Sequence, residues 1–291
     1  MITFIQLLAT GLMMGCLYGL VALGFVLIFK SSNIFNFAQG EFVLFGTYLA
    51  WSGIGLFHLP LWGAVLLSLV ICAFLGYGLE HFPLRPMIGQ PPFSIIMVTL
   101  GIALFIRGFW ALVWSPYVEA TFPLGETKDI ITLFGIPFTR LLVIGAVIAV
   151  VLAIIFGVAY KFTRAGLHMR AAAEDHELAQ SMGIRVTGAI AQSWALSFVI
   201  ATAAGILFAS SQGIDYAIVG FGLVGMVAAL TGGLDSILGA MIGGIIIGVF
   251  QSLGGGYIGH GFKDIAPYVA IIIVILIRPY GLFGLKRIER V

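Results

Sequence analysis

Charged side chains are scarce in this chain: Asp, Glu, Lys and Arg make up 9% of its 291 residues, where a soluble domain carries about a quarter. Water is therefore not its main solvent. The net charge is only +2, and Lys and Arg nowhere form a block able to grip nucleic acid, which excludes a polyanionic partner. Cysteine is nearly absent too. Cys16 and Cys72 each lie inside an apolar stretch and read as small buried side chains, with no disulfide framework and no metal site. The histidines, His58, His81, His168, His176 and His260, show no pair at metal-ligand spacing. No G-x-x-x-x-G-K-[ST] run occurs, so the chain has no loop to cradle ATP phosphates. No cluster of His, Asp, Ser or Cys stands at catalytic spacing, and the chain reads as a non-enzyme. A basic n-region is missing ahead of the first apolar stretch, 5–29, which exceeds the roughly 7 to 15 apolar residues of a signal peptide; a retained helix is expected. No internal repeat, linker or low-complexity tract stands out, so one membrane domain over residues 1–291 is expected.

What is abundant is apolar surface, at 61% of residues. A membrane span needs about 20 mostly apolar residues, because a helix rises about 1.5 Å per residue through a hydrocarbon layer about 30 Å thick. In lipid every backbone group must be paired internally, and the long non-alternating runs favour helices over a barrel. The expected fold is an all-α polytopic membrane bundle of eight or nine spans: 5–29, 35–56, 61–79, 93–114, 141–160, 188–209, 214–230, 237–253 and 266–277. The segment 35–56 opens with polar residues, and 214–230 is interrupted by Gly220, Gly222 and Gly225; either is a candidate broken or re-entrant segment. Lys and Arg concentrate on the cytoplasmic side of membrane proteins. Placing 161–187 and the C-terminus inside puts Lys30, Arg85, Lys161, Arg164, Arg170, Arg185, Arg278, Lys286, Arg287 and Arg290 inside, against Lys128, Arg140 and Lys263 outside. The outward loop 115–139, with Glu119, Glu126, Lys128 and Asp129, is either a docking surface or a plain connector.

Glycine, at 39 residues, is nearly twice its average usage of about 7%. Gly11, Gly15 and Gly19 are four apart, as are Gly239 with Gly243 and Gly244 with Gly248. That spacing puts them on one helix face and lets backbones approach closely where lipid supplies no hydrophobic drive.

Four polar side chains enter an apolar run at Asn33-Ile34-Phe35-Asn36-Phe37-Ala38-Gln39-Gly40-Glu41. Asn36 and Gln39 can form a capping box. Alternatively they and Glu41 line a permeation route, since irregular backbone at membrane depth survives only inside protein or beside water. Arg107 in the fourth span either snorkels toward the interface marked by Trp114 or pairs with a pathway acid. Residues 163–185 form the long polar stretch on the inner side; its interior reads as a short helix, with Arg170 and Glu174 spaced for an i,i+4 pair and Gly183 as a stop.

Tyr18-Gly19-Leu20-Val21-Ala22-Leu23-Gly24-Phe25 followed by Asn36-Phe37-Ala38-Gln39-Gly40-Glu41 resembles the branched-chain amino acid ABC-transporter permease family, its H-type subunit most of all. Thr163-Arg164-Ala165-Gly166, leading to Arg170-Ala171 and Asp175, and Arg278-Pro279-Tyr280-Gly281-Leu282-Phe283-Gly284 are similar to the same family. The resemblance implies that 161–187 is a cytoplasmic coupling segment, with Arg164, Gly166, Arg170, Ala171, Asp175, Glu177 and Gly183 meeting an ATPase. It further implies a second permease subunit, two cytoplasmic ATPase subunits that hold ATP, and a periplasmic solute-binding protein, all at a bacterial inner membrane. The solutes implied are branched-chain or other amino acids, urea, amides or small carboxylates. An ion- or proton-coupled secondary transporter is the alternative, and would show acids deep in its spans.

Overall fold

The computed structural model describes residues 2–87, 89–114, 122, 129–133 and 136–284. Most of the outward loop and the tail residues Lys286, Arg287 and Arg290 lie outside the described residues. The chain runs as α1 (Ile2–Ser32), α2 (Gln39–Gly55), α3 (Leu61–Leu79), α4 (Pro92–Trp114), a hairpin of β1 (Ile130–Leu133) and β2 (Ile136–Thr139), α5 (Arg140–Phe162), α6 (Arg164–Glu174), α7 (His176–Ser181), α8 (Val186–Gln212), α9 (Ile218–Gly232), α10 (Ile237–Tyr257) and α11 (His260–Ile277). The hairpin is antiparallel, with Ile130 opposite Thr139 and Leu133 opposite Ile136.

Among the described residues six helices can cross a membrane by length and composition: Thr3–Ser32, Leu61–Met87, Phe93–Trp114, Arg140–Phe162, Val186–Gln212 and Ile237–Tyr257. The two segments expected to be broken are indeed short as helices. α2 has 17 residues and begins at Gln39, α9 has 15 and begins at Ile218, and each is entered through an irregular loop. Pro83, which lacks an N–H, sits where α3 widens into a π turn at Glu80–Leu84. There the buried Glu80 carboxylate accepts from Arg85 at 2.9 Å.

α1 and α8 form the centre: 72% of each membrane-length window is buried, against 22% for Leu61–Met87 and Phe93–Trp114. Close approach explains the α1–α10 contact. A Cβ on Gly15 would lie 2.6 Å from Ile245 Cα, and one on Gly11 2.7 Å from Val249 Cα. The two glycine pairs of α10 serve different neighbours: Gly244 and Gly248 meet α1, while Gly243 meets Gly232 at the end of α9.

The packing is also two-fold. α1 lies on α10 as α8 lies on α3, α9 on α1 as α2 on α8, and α4 on α2 as α11 on α9, with α1 against α8 and α2 against α9 between the halves. The connections match as well. α1 ends with Asn33 at φ 53° and α8 with Gly213 at φ 91°. Asn36 Oδ1 then accepts from Ala38 N at 2.9 Å, as Asp215 Oδ1 accepts from Ala217 N at 2.8 Å. The sequence does carry this repeat, in Asn36-Phe37-Ala38 and Asp215-Tyr216-Ala217, too briefly to stand out from composition.

Candidate functional site

The first half of the site is where α2 starts. Asn36 does not cap the helix itself: Ala38 holds the N-cap position without a side-chain bond, and Asn36 makes a tight turn one step earlier. Its Nδ2 donates to Gln39 Oε1 at 3.0 Å, and the same oxygen accepts from Ser197 Oγ of α8 at 2.9 Å. Ser197 is also within 3.0 Å of the Gly24 carbonyl of α1, and Gly24 has no side chain because Gln39 occupies that space. Asn36, Gln39 and Ser197 are wholly buried. They form a satisfied polar knot between α1, α2 and α8 rather than an open lining, and such a knot is rigid while complete.

Two residues on, Glu41 is buried at 2% exposure. Its Oε1 accepts from Arg107 Nε at 2.9 Å and Nη2 at 2.6 Å. Of the two roles open to Arg107, pairing is therefore the one observed. Snorkelling is excluded by direction. Trp114 and Ser52 join the C-terminal ends of α4 and α2 by a 2.5 Å hydrogen bond, and Glu41 lies eleven positions before Ser52, about 16 Å along the helix, so Arg107 reaches away from the Trp114 end. Glu41 Oε2 has no donor among the described residues. The Arg107 Cζ lies 5.4 Å from the ring centre of Tyr216, which ties α4 to the loop before α9. Close to the pair, a Cβ on Gly40 would lie 3.0 Å from the Val219 carbonyl. The starts of α2 and α9 thus touch at depth, backbone to backbone.

The second half is the basic end. The inner stretch is two helices rather than one, because Asp175 leaves the helical region and caps α7, accepting from Glu177 N at 2.8 Å and Leu178 N at 3.0 Å. Thr163 caps α6 through the Gly166 amide at 3.1 Å. Gly183, at φ 81°, ends α7, with Gly183 N on Gln180 O and Ile184 N on Ala179 O, the paired bonds of a Schellman stop. Arg170 does not pair with Glu174: it donates to the Tyr160 carbonyl and stacks 5.6 Å from that ring, which Lys30 of α1 approaches at 5.4 Å. Gly166, Met169 and Ala172 are buried against α1, α5 and α8, and Ala171 is half-buried. Gly166 leaves no room for a Cβ against the Tyr160 carbonyl. Arg164, Leu167, His168, Glu174, Glu177, Leu178 and Met182 face outward.

Sequence reasoning missed what the C-terminal motif does. Beyond anchoring the chain, Leu282 N and Phe283 N donate to the Thr231 and Gly232 carbonyls at 2.9 Å, closing the end of α9, where carbonyls have no partner in the helix.

A model of the branched-chain amino acid transport system permease component matches residues 7–277, which takes in the polar knot, the Glu41–Arg107 pair and helices α6 and α7 together. The chain belongs to this permease family. Its relatives include the high-affinity branched-chain amino acid transport system permease protein BraD of Pseudomonas aeruginosa, 28% identical over 99% of this chain and 98% of its own length. The corresponding LivH protein of Escherichia coli is 26% identical over 99% and 98%. A probable branched-chain amino acid transport permease protein LivH of Methanocaldococcus jannaschii is 33% identical over 93% and 90%. Among solved structures, PsaBC from Streptococcus pneumoniae in complex with Fab aligns with a TM-score of 0.50 over 94% of this chain and 92% of that one, at 15% identity, a likeness of fold alone. As a member of the permease family the chain is a transport subunit of the membrane and not an enzyme. Nothing favours an ion-coupled carrier, since the buried acids Glu41 and Glu80 are each engaged by an arginine.

Proposed function

We propose that the chain is one permease subunit of an ATP-binding cassette importer that brings branched-chain amino acids or similar small polar solutes across a bacterial inner membrane. In this reading α1 to α5 and α8 to α11 all cross, α2 and α9 completed by the loops 33–38 and 213–217, and the N-terminus is periplasmic. A second, similar permease completes the route, a periplasmic binding protein delivers the solute, and two cytoplasmic ATPase subunits bind and hydrolyse ATP, so this chain needs no cofactor of its own.

The observation that carries the reading is the construction of α6 and α7. One face is fixed to the inner ends of α1, α5 and α8, while the other offers Leu167, Leu178 and Met182 among Arg164, Glu174 and Glu177, all exposed. Exposed apolar groups rimmed by charge suit a protein groove. A push on this segment acts through Tyr160 and Lys30 on the inner end of α1, which leads directly into 33–38 and the knot of Asn36, Gln39 and Ser197. Closed, the knot seals the route; opened, its polar groups and Glu41 are what a hydrated solute meets. The membrane helices move as packed units about their glycine contacts, and the chemistry stays with the ATPase.

The test is a Glu177→Arg, Leu178→Asp double variant in the reconstituted complex. ATP hydrolysis stimulated by the loaded binding protein should fall at least tenfold while the permease keeps its thermal stability. Unchanged stimulation would remove the docking role.

A further inference from the structure

We propose that the guanidinium of Arg107 is a binding site for the carboxylate of the passing solute, held in place by Glu41 and Tyr216. The inference rests on the importer reading and deepens it.

Arg107 carries five N–H donors, and Glu41 Oε1 takes only two of them, from Nε and Nη2. The guanidinium face lies over Tyr216, yet the side chain remains 45% exposed. That exposure occurs within the apolar helix α4, with the side chain directed to Glu41 of α2 rather than toward Trp114. A half-open cation facing hydrocarbon is costly, so its free side faces water or a polar occupant. The surroundings leave room for one. Gly101 and Gly108 of α4 and Gly220 of α9 are exposed, and a Cβ at any of them would meet nothing within 4 Å. One buried polar group three positions along α4 also lacks a partner among the described residues, the Trp110 indole N–H, whose ring lies 5.8 Å from that of Tyr216, and buried polar groups are normally satisfied. A planar, always-charged fork fixed along one edge and open along the other is the geometry that takes a carboxylate through two N–H bonds. Glu41 anchors the fork without consuming it.

The experiment uses vesicles holding the complete transporter, with labelled leucine as the carboxylate-bearing probe and with ATP hydrolysis measured in parallel. Arg107→Gln should lower the leucine accumulated per ATP hydrolysed at least tenfold, Arg107→Lys should restore part of it, and Glu41→Gln, which leaves the cation, should fall less than Arg107→Gln. The exchange Glu41→Arg with Arg107→Glu keeps an ion pair but removes the open cation, and should stay at the Arg107→Gln level. Recovery of uptake in the exchange variant would make the pair a lock between helices and overturn the inference. Equal yields in Arg107→Gln and the parent transporter would do the same, and so would a permease pair that separates in detergent on that substitution, since the guanidinium then belongs to the subunit contact. If the exchange variant does not assemble, the order of the Lys and Gln variants decides. Parent vesicles that accumulate no leucine with ATP would instead remove the importer reading itself.

Discussion

Replacing Gly15 by Ala tests what holds the centre of this bundle together. The added Cβ would stand 2.6 Å from Ile245 Cα, 2.9 Å from the Gly244 carbonyl and 3.2 Å from Ile245 N. These are backbone atoms, which cannot rotate away, and carbon contacts are comfortable only near 3.5 to 4.0 Å. α1 and α10 must therefore separate by about 1 Å. A gap of that size forfeits roughly a quarter to a half of each contact's dispersion energy, and overpacking a well-fitted interface costs about 1 to 3 kcal/mol. We expect about 2 to 3 kcal/mol lost, because no hydrophobic drive in lipid compensates for looser packing. Gly248, whose own Cβ would lie 2.5 Å from Gly15 N, shares the gap, so Gly15→Ala with Gly248→Ala should cost clearly less than the sum of the singles. Gly78 serves as the control. A Cβ there meets nothing within 4 Å, and Ala is the better helix former by about 1 kcal/mol, so Gly78→Ala should be neutral or stabilising. Equilibrium unfolding in mixed micelles, followed by far-UV circular dichroism, measures all four. A Gly15→Ala protein as stable as Gly78→Ala, or fully additive seam variants, would refute close backbone approach as the source of the contact.

Gly166→Ala should lift α6 off the Tyr160 carbonyl and lower binding-protein-stimulated ATP hydrolysis at least tenfold, with less loss of thermal stability than the Gly15 variant; unaltered stimulation would show that the contact is not needed for coupling. Gln39→Ala leaves the buried Asn36 Nδ2 without its partner, at about 1 to 3 kcal/mol, while Ser197 keeps the Gly24 carbonyl, and should raise ATP-independent leucine leakage from vesicles. Tight vesicles with normal uptake would reduce the knot to a helix-start device.

Much of the architecture was legible because lipid leaves the sequence few options. Among the described residues apolar runs gave helices close to the nine expected segments, six of them long enough to cross a membrane, and glycine spacing announced close helix packing, which the structure puts between α1 and α10 at Gly11, Gly15, Gly19, Gly244 and Gly248. Thr163, Asp175 and Gly183 each act locally, through bonds spanning two to five residues, which is why a short helix with a stop at Gly183 could be read from the letters of 163–185. Pairings across the fold were not legible. Nothing adjacent to Arg107 says that its partner is 66 positions away, and Ser197 lies 158 positions from the Gln39 side chain it holds. Within α6 the i,i+4 spacing of Arg170 and Glu174 pointed to the wrong partner. A buried carbonyl and an aromatic face on Tyr160 outcompete an exposed carboxylate, whose attraction is weak in water. The two-fold arrangement escaped notice because its halves share geometry while Gln39 and Glu41 belong to one half alone. Ile218 and Gly220 stand in their places after Asp215-Tyr216-Ala217.

The strap formed by Leu282 and Phe283 bears on how the protein is made. The carbonyls it closes belong to Thr231 and Gly232, some fifty residues nearer the start of the chain, and α1 finds its main neighbour only when α10 has been synthesised. The inner end of α9 therefore stays open, and the first helix largely unaccompanied, until translation is nearly finished. A polypeptide truncated just after α11 would insert all its helices and still leave that end frayed.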